Sequence, residues 1–304
     1  MRSLVAVTAA VALGLLGAPG AHAATVAKSG TLLAYTAATA EVNTVAIDRV
    51  TTTYRVIDQT APVTAGAGCT RVSLHRARCD AAGIDLVRVV AGDRDDTVTV
   101  TGSTKADLRG GTGTDSLTGG AGADTLTAGS GPQMNYGATE YLTGSGGADT
   151  LIGSTSLYTT VYLNGGPGAD DLQGGASNDY MTGGPGADDF SGGGGTDEVR
   201  YFVATTRVTA SFDDVANDGA AGEHDNLGSD IRGIRGGSGN DVLTGNAAAN
   251  LLDGGTGNDV LRGMGGDDSL DGGSGADTLY GGLDDDTFNA GTEADTVSGG
   301  NGIE

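Results

Sequence analysis

GGSGNDVLT GNAAANLLD GGTGNDVLR GMGGDDSLD GGSGADTLY GGLDDDTFN AGTEADTVS, residues Gly236 to Ser298, divides without a slip into seven units of nine residues. The consensus is GGxGxDxUx, with U a large apolar side chain. Position six is Asp241, Asn250, Asp259, Asp268, Asp277, Asp286 and Asp295, and position eight is Leu243, Leu252, Leu261, Leu270, Leu279, Phe288 and Val297. The glycines permit the backbone of a tight turn, while the x-U-x triplet is a strand that buries one side chain. One apolar residue per strand makes no core alone. The units must therefore stack, two to a coil, until the position-eight side chains form a column between two sheets.

Stacking sets the position-six carboxylates of units two apart above one another, about 4.8 Å along the coil axis. Such a row repels itself unless a cation intervenes, and calcium takes six to eight oxygens in a flexible geometry that carboxylates and turn carbonyls can supply. The nonapeptide resembles the hemolysin-type (RTX) calcium-binding repeat, whose fold is a parallel β-roll. That resemblance implies calcium between Asp241 and Asp259, Asn250 and Asp268, Asp259 and Asp277, Asp268 and Asp286, and Asp277 and Asp295. Asn250 keeps an oxygen but loses a charge, so its site is expected to be the weakest of these five.

The remaining chain is read outward from this block. A second regular block, GGPGADDLQ GGASNDYMT GGPGADDFS GGGGTDEVR, runs from Gly165 to Arg200, and the same pairing joins Asp170 to Asp188 and Asp179 to Asp197, giving seven strong candidate sites. The rhythm starts at Ala91 with AGDRDDTVT, gains a residue at Val100, and becomes regular in GGTGTDSLT and GGAGADTLT. Its position-six residues are Asp96, Asp115 and Asp124, with Ala106 interrupting the row, so calcium binding there is expected to be partial. Between residues 128 and 164 the repeats degrade: Asp149 is kept, but Gln133, Glu140 and Val161 take the acidic position, and a continued solenoid with few ions is expected. Residues 201–235 break the period. YFVAT and RVTASF read as a strand pair followed by an acidic loop in which Asp213, Asp214, Asp218, Glu223, Asp225 and Asp230 lack EF-hand spacing. A further calcium and a merely solvated loop are both open there.

Residues 24–90 are poor in glycine and rich in Val, Ile, Thr and Tyr, as in TTTYRVID and IDLVRVV. They read as a small N-terminal β cap over the open end of the solenoid, with a small ligand-binding module as the alternative. Met1 to Ala23 has Arg2, an apolar run from Leu4 to Leu16 and an Ala-His-Ala cleavage site, the pattern of a secretory signal rather than a bilayer span. Secretion agrees with the cysteine count: Cys69 and Cys79 are expected to form one disulfide, since their spacing fits no zinc motif and His75 and His224 lie far apart.

The chain holds 304 residues with 57 Gly, no Trp and a formal charge of −23. Too little apolar bulk and too much like charge place it near the disordered class until cations neutralise it. The acidity also argues against nucleic acid as a partner. The expected class is all-β, a parallel β-roll or β-solenoid, and the expected protein is secreted, extracellular and free of a membrane span. It is expected to fold on extracellular calcium, with a structural or surface-associated role and an undefined cell-surface or matrix partner. Enzymatic activity is not expected: HExxH and GxSxG are absent, and the acids that would serve a glycosidase on a solenoid, with Asp213 and Glu223 as an example pair, are read as already explained by metal. The alternative is the calcium-dependent solenoid of a secreted enzyme or toxin-like protein, for instance one acting on polysaccharide. Export by a C-terminal signal, usual in RTX toxins, is not matched here.

Overall fold

A computed structural model describes residues 23–129 and 138–301; most of the expected signal and Gln133 lie outside them. Among the described residues there is no helix, and thirty strands form sheets of ten, fourteen and six. Successive repeat strands alternate between opposite sides of the roll. Partners within one sheet therefore lie two units apart: Leu261 is opposite Leu279 and Leu252 is opposite Leu270. This is an all-β parallel β-roll.

Two apolar columns fill its interior. On one side Val98, Leu117, Leu142, Leu163, Met181, Val199, Ile234, Leu252 and Leu270 follow one another in register through the fourteen-stranded sheet, all buried. Facing them, Leu108, Leu126, Leu151, Leu172, Phe190 and Leu227 do the same through the ten-stranded sheet. Leu243, Leu261 and Leu279 continue that side in the six-stranded sheet. Burial of each side chain stabilises by roughly 1.5–3 kcal/mol, and because every coil adds the same contact the column propagates without a central core.

The N-terminal strands pair with one another in antiparallel fashion, except that Ala24–Ser29 also pairs in parallel with Val63–Ala65. Ala24–Ser29 pairs with Leu32–Thr36, Thr44–Val50 with Thr53–Asp58, and Thr53–Asp58 with Arg76–Asp80. Leu32–Thr36 and Thr44–Val50 each turn an edge to the roll, pairing in parallel with Leu86–Asp93 and Thr97–Thr101. Cys69 and Cys79 stand opposite one another in an antiparallel ladder and are joined by a disulfide.

Residues 201–235 differ from the strand pair read in the sequence. Tyr201–Thr205 is a turn, with the Ala204 N–H donating to the Tyr201 carbonyl, because Tyr201 is drawn inward while Phe202 and Val203 stay exposed. Val208–Ser211 instead pairs antiparallel with Gly219–Ala220 and parallel with Val242–Thr244, starting the six-stranded sheet. Asn226–Leu227 ends the ten-stranded sheet, while Gly233–Arg235 carries the fourteen-stranded sheet onward between Glu198–Arg200 and Leu251–Asp253. One side of the roll is thus broken at this segment and the other runs through it.

The turns tolerate little change. Gly257 has a φ of 131°, and a Cβ there would collide with the carbonyl oxygen of Gly239 one coil earlier. Gly83 also has positive φ, 68°, but its Cβ would meet open space. Gly83→Ala is expected to cost only backbone strain, about 1–3 kcal/mol. Gly257→Ala adds a main-chain collision, so its loss of melting temperature in calcium should be at least twice as large; equal losses would mean that the turns give way freely.

Candidate calcium site

Each nonapeptide places its sixth residue at the end of the glycine turn, just before the buried triplet. Its side chain therefore points along the coil axis toward the preceding turn, and one oxygen is fixed there by a repeated hydrogen bond. In the C-terminal block the N–H of Asp241 donates to Asp259 Oδ1 at 2.7 Å, that of Asp259 to Asp277 at 2.8 Å and that of Asp277 to Asp295 at 2.9 Å. On the other side Asn250 donates to Asp268 and Asp268 to Asp286, at 2.8 and 3.1 Å. Asp170 donates to Asp188 and Asp179 to Asp197, both at 2.9 Å. All seven pairs read in the sequence are in contact, and Asp115 and Asp124 join the same rows through the Asp96 N–H and the Ala106 N–H.

The second oxygen is the unusual one. Oδ2 of Asp96, Asp115, Asp149, Asp170, Asp179, Asp188, Asp197, Asp259, Asp268 and Asp277 is buried without a hydrogen-bond partner. The ion pairs among the described residues, such as Arg88 to Asp107 and Arg235 to Asp253, lie on the outer faces and reach none of these aspartates. A buried carboxylate left in this way is strongly unfavourable unless it is neutralised. Burial accordingly pushes Asp179 up to about 8 and Asp188, Asp197 and Asp268 up to about 7, against the lowering effect of the N–H each accepts.

The oxygens face a cradle. A Cβ on Gly272 would stand 2.6 Å from Asp277 Oδ2 and 2.9 Å from the Ala290 carbonyl, so the first glycine of the unit leaves a gap lined by oxygen. No group of three or more His, Cys, Asp or Glu side chains able to hold a metal gathers among the described residues. A cation in this gap would therefore take few carboxylates and complete its shell with main-chain carbonyls. That all-oxygen, irregular donor set suits calcium and does not suit zinc or other metals that seek nitrogen and sulfur.

A family model described as the RTX calcium-binding nonapeptide repeat (4 copies) matches residues 100–132, 137–155, 164–199, 234–261, 253–288 and 280–303, more than half of the chain. The chain belongs to the RTX repeat family. It is a calcium-binding β-roll protein. A search of the curated proteins finds no significant match. The RTX matches leave out the antiparallel N-terminal strands and residues 200–233, the segment that interrupts the period.

That segment ends two RTX rows, in different ways. Asp225 lies 37 residues after Asp188 in place of the usual 18, yet its Oδ1 accepts the Asp188 N–H at 3.0 Å as a repeat aspartate would. Its Oδ2 accepts the hydroxyl of buried Tyr201 at 3.0 Å, so this row closes on a phenol. The triplet Asp225-Asn226-Leu227 is a D-x-U remnant that could have revealed its place, although the spacing hides it. On the other side Arg232 follows Asp197 in register, and its charge favours the ionised form of that aspartate. Asp213 and Asp214 do not join a row and accept N–H groups within the segment, those of Val215 and Ser229, while Asp230 reaches back to the repeat block and accepts the Gly192 and Gly193 N–H groups of its glycine turn. Asn250 uses Oδ1 to accept the Asn246 N–H at 2.7 Å and leaves Nδ2 buried without a partner.

Two outcomes follow from these rows. Their carboxyls, raised above the ordinary value of 3.8, hold protons in the folded chain that the unfolded chain releases. Without calcium the fold should therefore be most stable below about pH 4 and lose stability as pH rises through about 6 to 8. With saturating calcium, protons compete with the ion and the slope should reverse. Melting temperatures at pH 5 and 8, on dialysed and calcium-loaded protein, check both signs, and parallel slopes would refute the role of the rows. Separately, Tyr201→Phe strands Asp225 Oδ2 and should cost about 1–3 kcal/mol in a denaturant titration.

Proposed function

We propose that this protein is a secreted, non-enzymatic calcium-binding β-roll that folds when it meets extracellular calcium and serves a structural or surface-associated role. The supporting observation is the set of buried, unpartnered Oδ2 atoms along the position-six rows, which leaves the ion-free fold at a disadvantage that calcium removes. In this reading the ions lie with Asp170 and Asp188, Asp179 and Asp197, and the five C-terminal pairs from Asp241 to Asp295. Asp115 and Asp124 supply the partial rows nearer the N-terminus.

Extracellular calcium sites bind in the range of about 0.1–1 mM. With a dissociation constant of ~0.1 mM and ~1 mM free ion, each site contributes ~1.4 kcal/mol by linkage. Seven such sites would supply ~10 kcal/mol, the size of an ordinary domain's whole stability. Folding would then be withheld where calcium is scarce and completed outside the cell. Export is supported by the Met1–Ala23 pattern, by the cysteine pair and by the usual occurrence of RTX repeats in secreted bacterial proteins. No helix among the described residues is long and apolar enough to cross a membrane. The non-enzymatic reading is supported by the hydrogen bonds that tie nearly every buried acid into a row or a turn.

Far-ultraviolet circular dichroism of the chain from Ala24 onward, titrated with calcium after chelation and with magnesium as control, tests the coupling. A cooperative gain of β signal with calcium alone is expected. An unchanged, already folded spectrum would remove calcium as the trigger and reopen the reading as the tail of an enzyme or toxin.

A further inference from the structure

Glu140 departs from every other member of the acidic rows. It lies on Ala138–Thr143, which pairs in parallel with Ser116–Thr118 on one side and Thr159–Asn164 on the other. Because Ser116 is opposite Tyr141, Glu140 follows Asp115 directly in the row, and Val161 follows Glu140. Its side chain is 1 % exposed, and both carboxylate oxygens lack a hydrogen-bond partner. A repeat aspartate spends one oxygen on the N–H of the residue one coil back. Glutamate is one methylene longer, and Glu140 takes no such bond, so both of its oxygens remain available.

Its surroundings are equally short of partners. Asp115 Oδ2 is buried and unpartnered, and so is Thr159 Oγ1, on the same inward face of the next strand. Neither acid forms an ion pair among the described residues. Three buried carboxylate oxygens, two from Glu140 and one from Asp115, are thus left with nothing to compensate their desolvation. The sequence places Glu140 at the acidic position but leads one to expect few ions in this coil, because its period is broken and the acid is not aspartate.

We propose that Asp115 and Glu140 form a divalent-cation site of a different make from the repeat pairs, in which Glu140 binds calcium through both oxygens and Asp115 through Oδ2. The ion would be calcium rather than magnesium, since a bidentate glutamate and irregular carbonyls suit the larger, more tolerant cation and not a strict octahedron. Its place gives it a task. Asp115 belongs to the N-terminal regular repeats, and the row resumes beyond Val161 at Asp179, whose Oδ1 accepts the Val161 N–H. The ion would thereby stitch the irregular coil, where no aspartate pair is present on this side, into a continuous roll.

The inference rests on calcium binding by the rows, and the experiment separates the two. Bound calcium is counted by equilibrium dialysis of the full mature chain at saturating free calcium, for wild type, Glu140→Gln and Glu140→Asp. Glu140→Gln should bind about one ion fewer while the repeat sites fill as before. Its calcium-loaded melting temperature should fall. Glu140→Asp keeps a carboxylate but loses the bidentate reach, so it should retain the ion with a raised half-saturating concentration and reports even where the glutamine variant folds poorly. A full complement in Glu140→Gln, or unchanged half-saturation in Glu140→Asp, would overturn the site and leave Glu140 as a neutral acid holding a proton. Wild-type protein that binds no calcium at all would instead defeat the reading of the rows themselves.

Discussion

The interaction on which the rest depends is the hydrogen bond from one position-six N–H to the Oδ1 of the residue one coil later, as from Asp259 to Asp277 at 2.8 Å. It fixes the carboxylate against the turn, sets the coil spacing and, at most positions of the rows, leaves Oδ2 buried with nothing to bind. A network that is only half satisfied is worse than an apolar core, because desolvated charge is costly at low dielectric. The apolar columns can hold the two sides together, but each coil adds to the burden on the rows. A cation with a flexible oxygen shell removes that burden at every coil, so stability and calcium are tied to the same atoms.

The interruption at residues 201–235 shows how such an array is stopped. A row that simply ended would present a half-satisfied aspartate. Asp225 ends one row by accepting the Tyr201 hydroxyl with its spare oxygen, and Arg232 stands where the next acid of the other row would be. The same segment breaks one side of the roll into sheets of ten and six strands while the fourteen-stranded side continues. At the N-terminal end the solution is again polar. Asn43 donates both its backbone and its side-chain N–H groups to Asp96 Oδ1, and Tyr35 bonds to Asp58 within the same buried network.

The repeat signal was legible because its two periods coincide: one apolar residue and one acid in every nine place themselves once the units stack. The columns from Val98 to Leu270 and the seven acidic pairs follow from that arithmetic. Where the spacing changes the signal fails. Asp225 is out of step by a long insertion, and Tyr201-Phe202-Val203 has the composition of a strand yet turns, because the tyrosine has a carboxylate to satisfy.

By itself the sequence determined the all-β class, the two-unit coil, the apolar columns, the glycine turns and calcium as the partner of the acidic rows, since each is a local pattern repeated in register. Only the tertiary structure decided which strands close the N-terminal end, which side of the roll breaks, how Asp225 and Arg232 end their rows, and that Glu140 lies buried beside Asp115 with both oxygens free. Those features depend on residues far apart in the chain meeting at one level of the stack, and no period in the sequence records the level at which an irregular coil will lie.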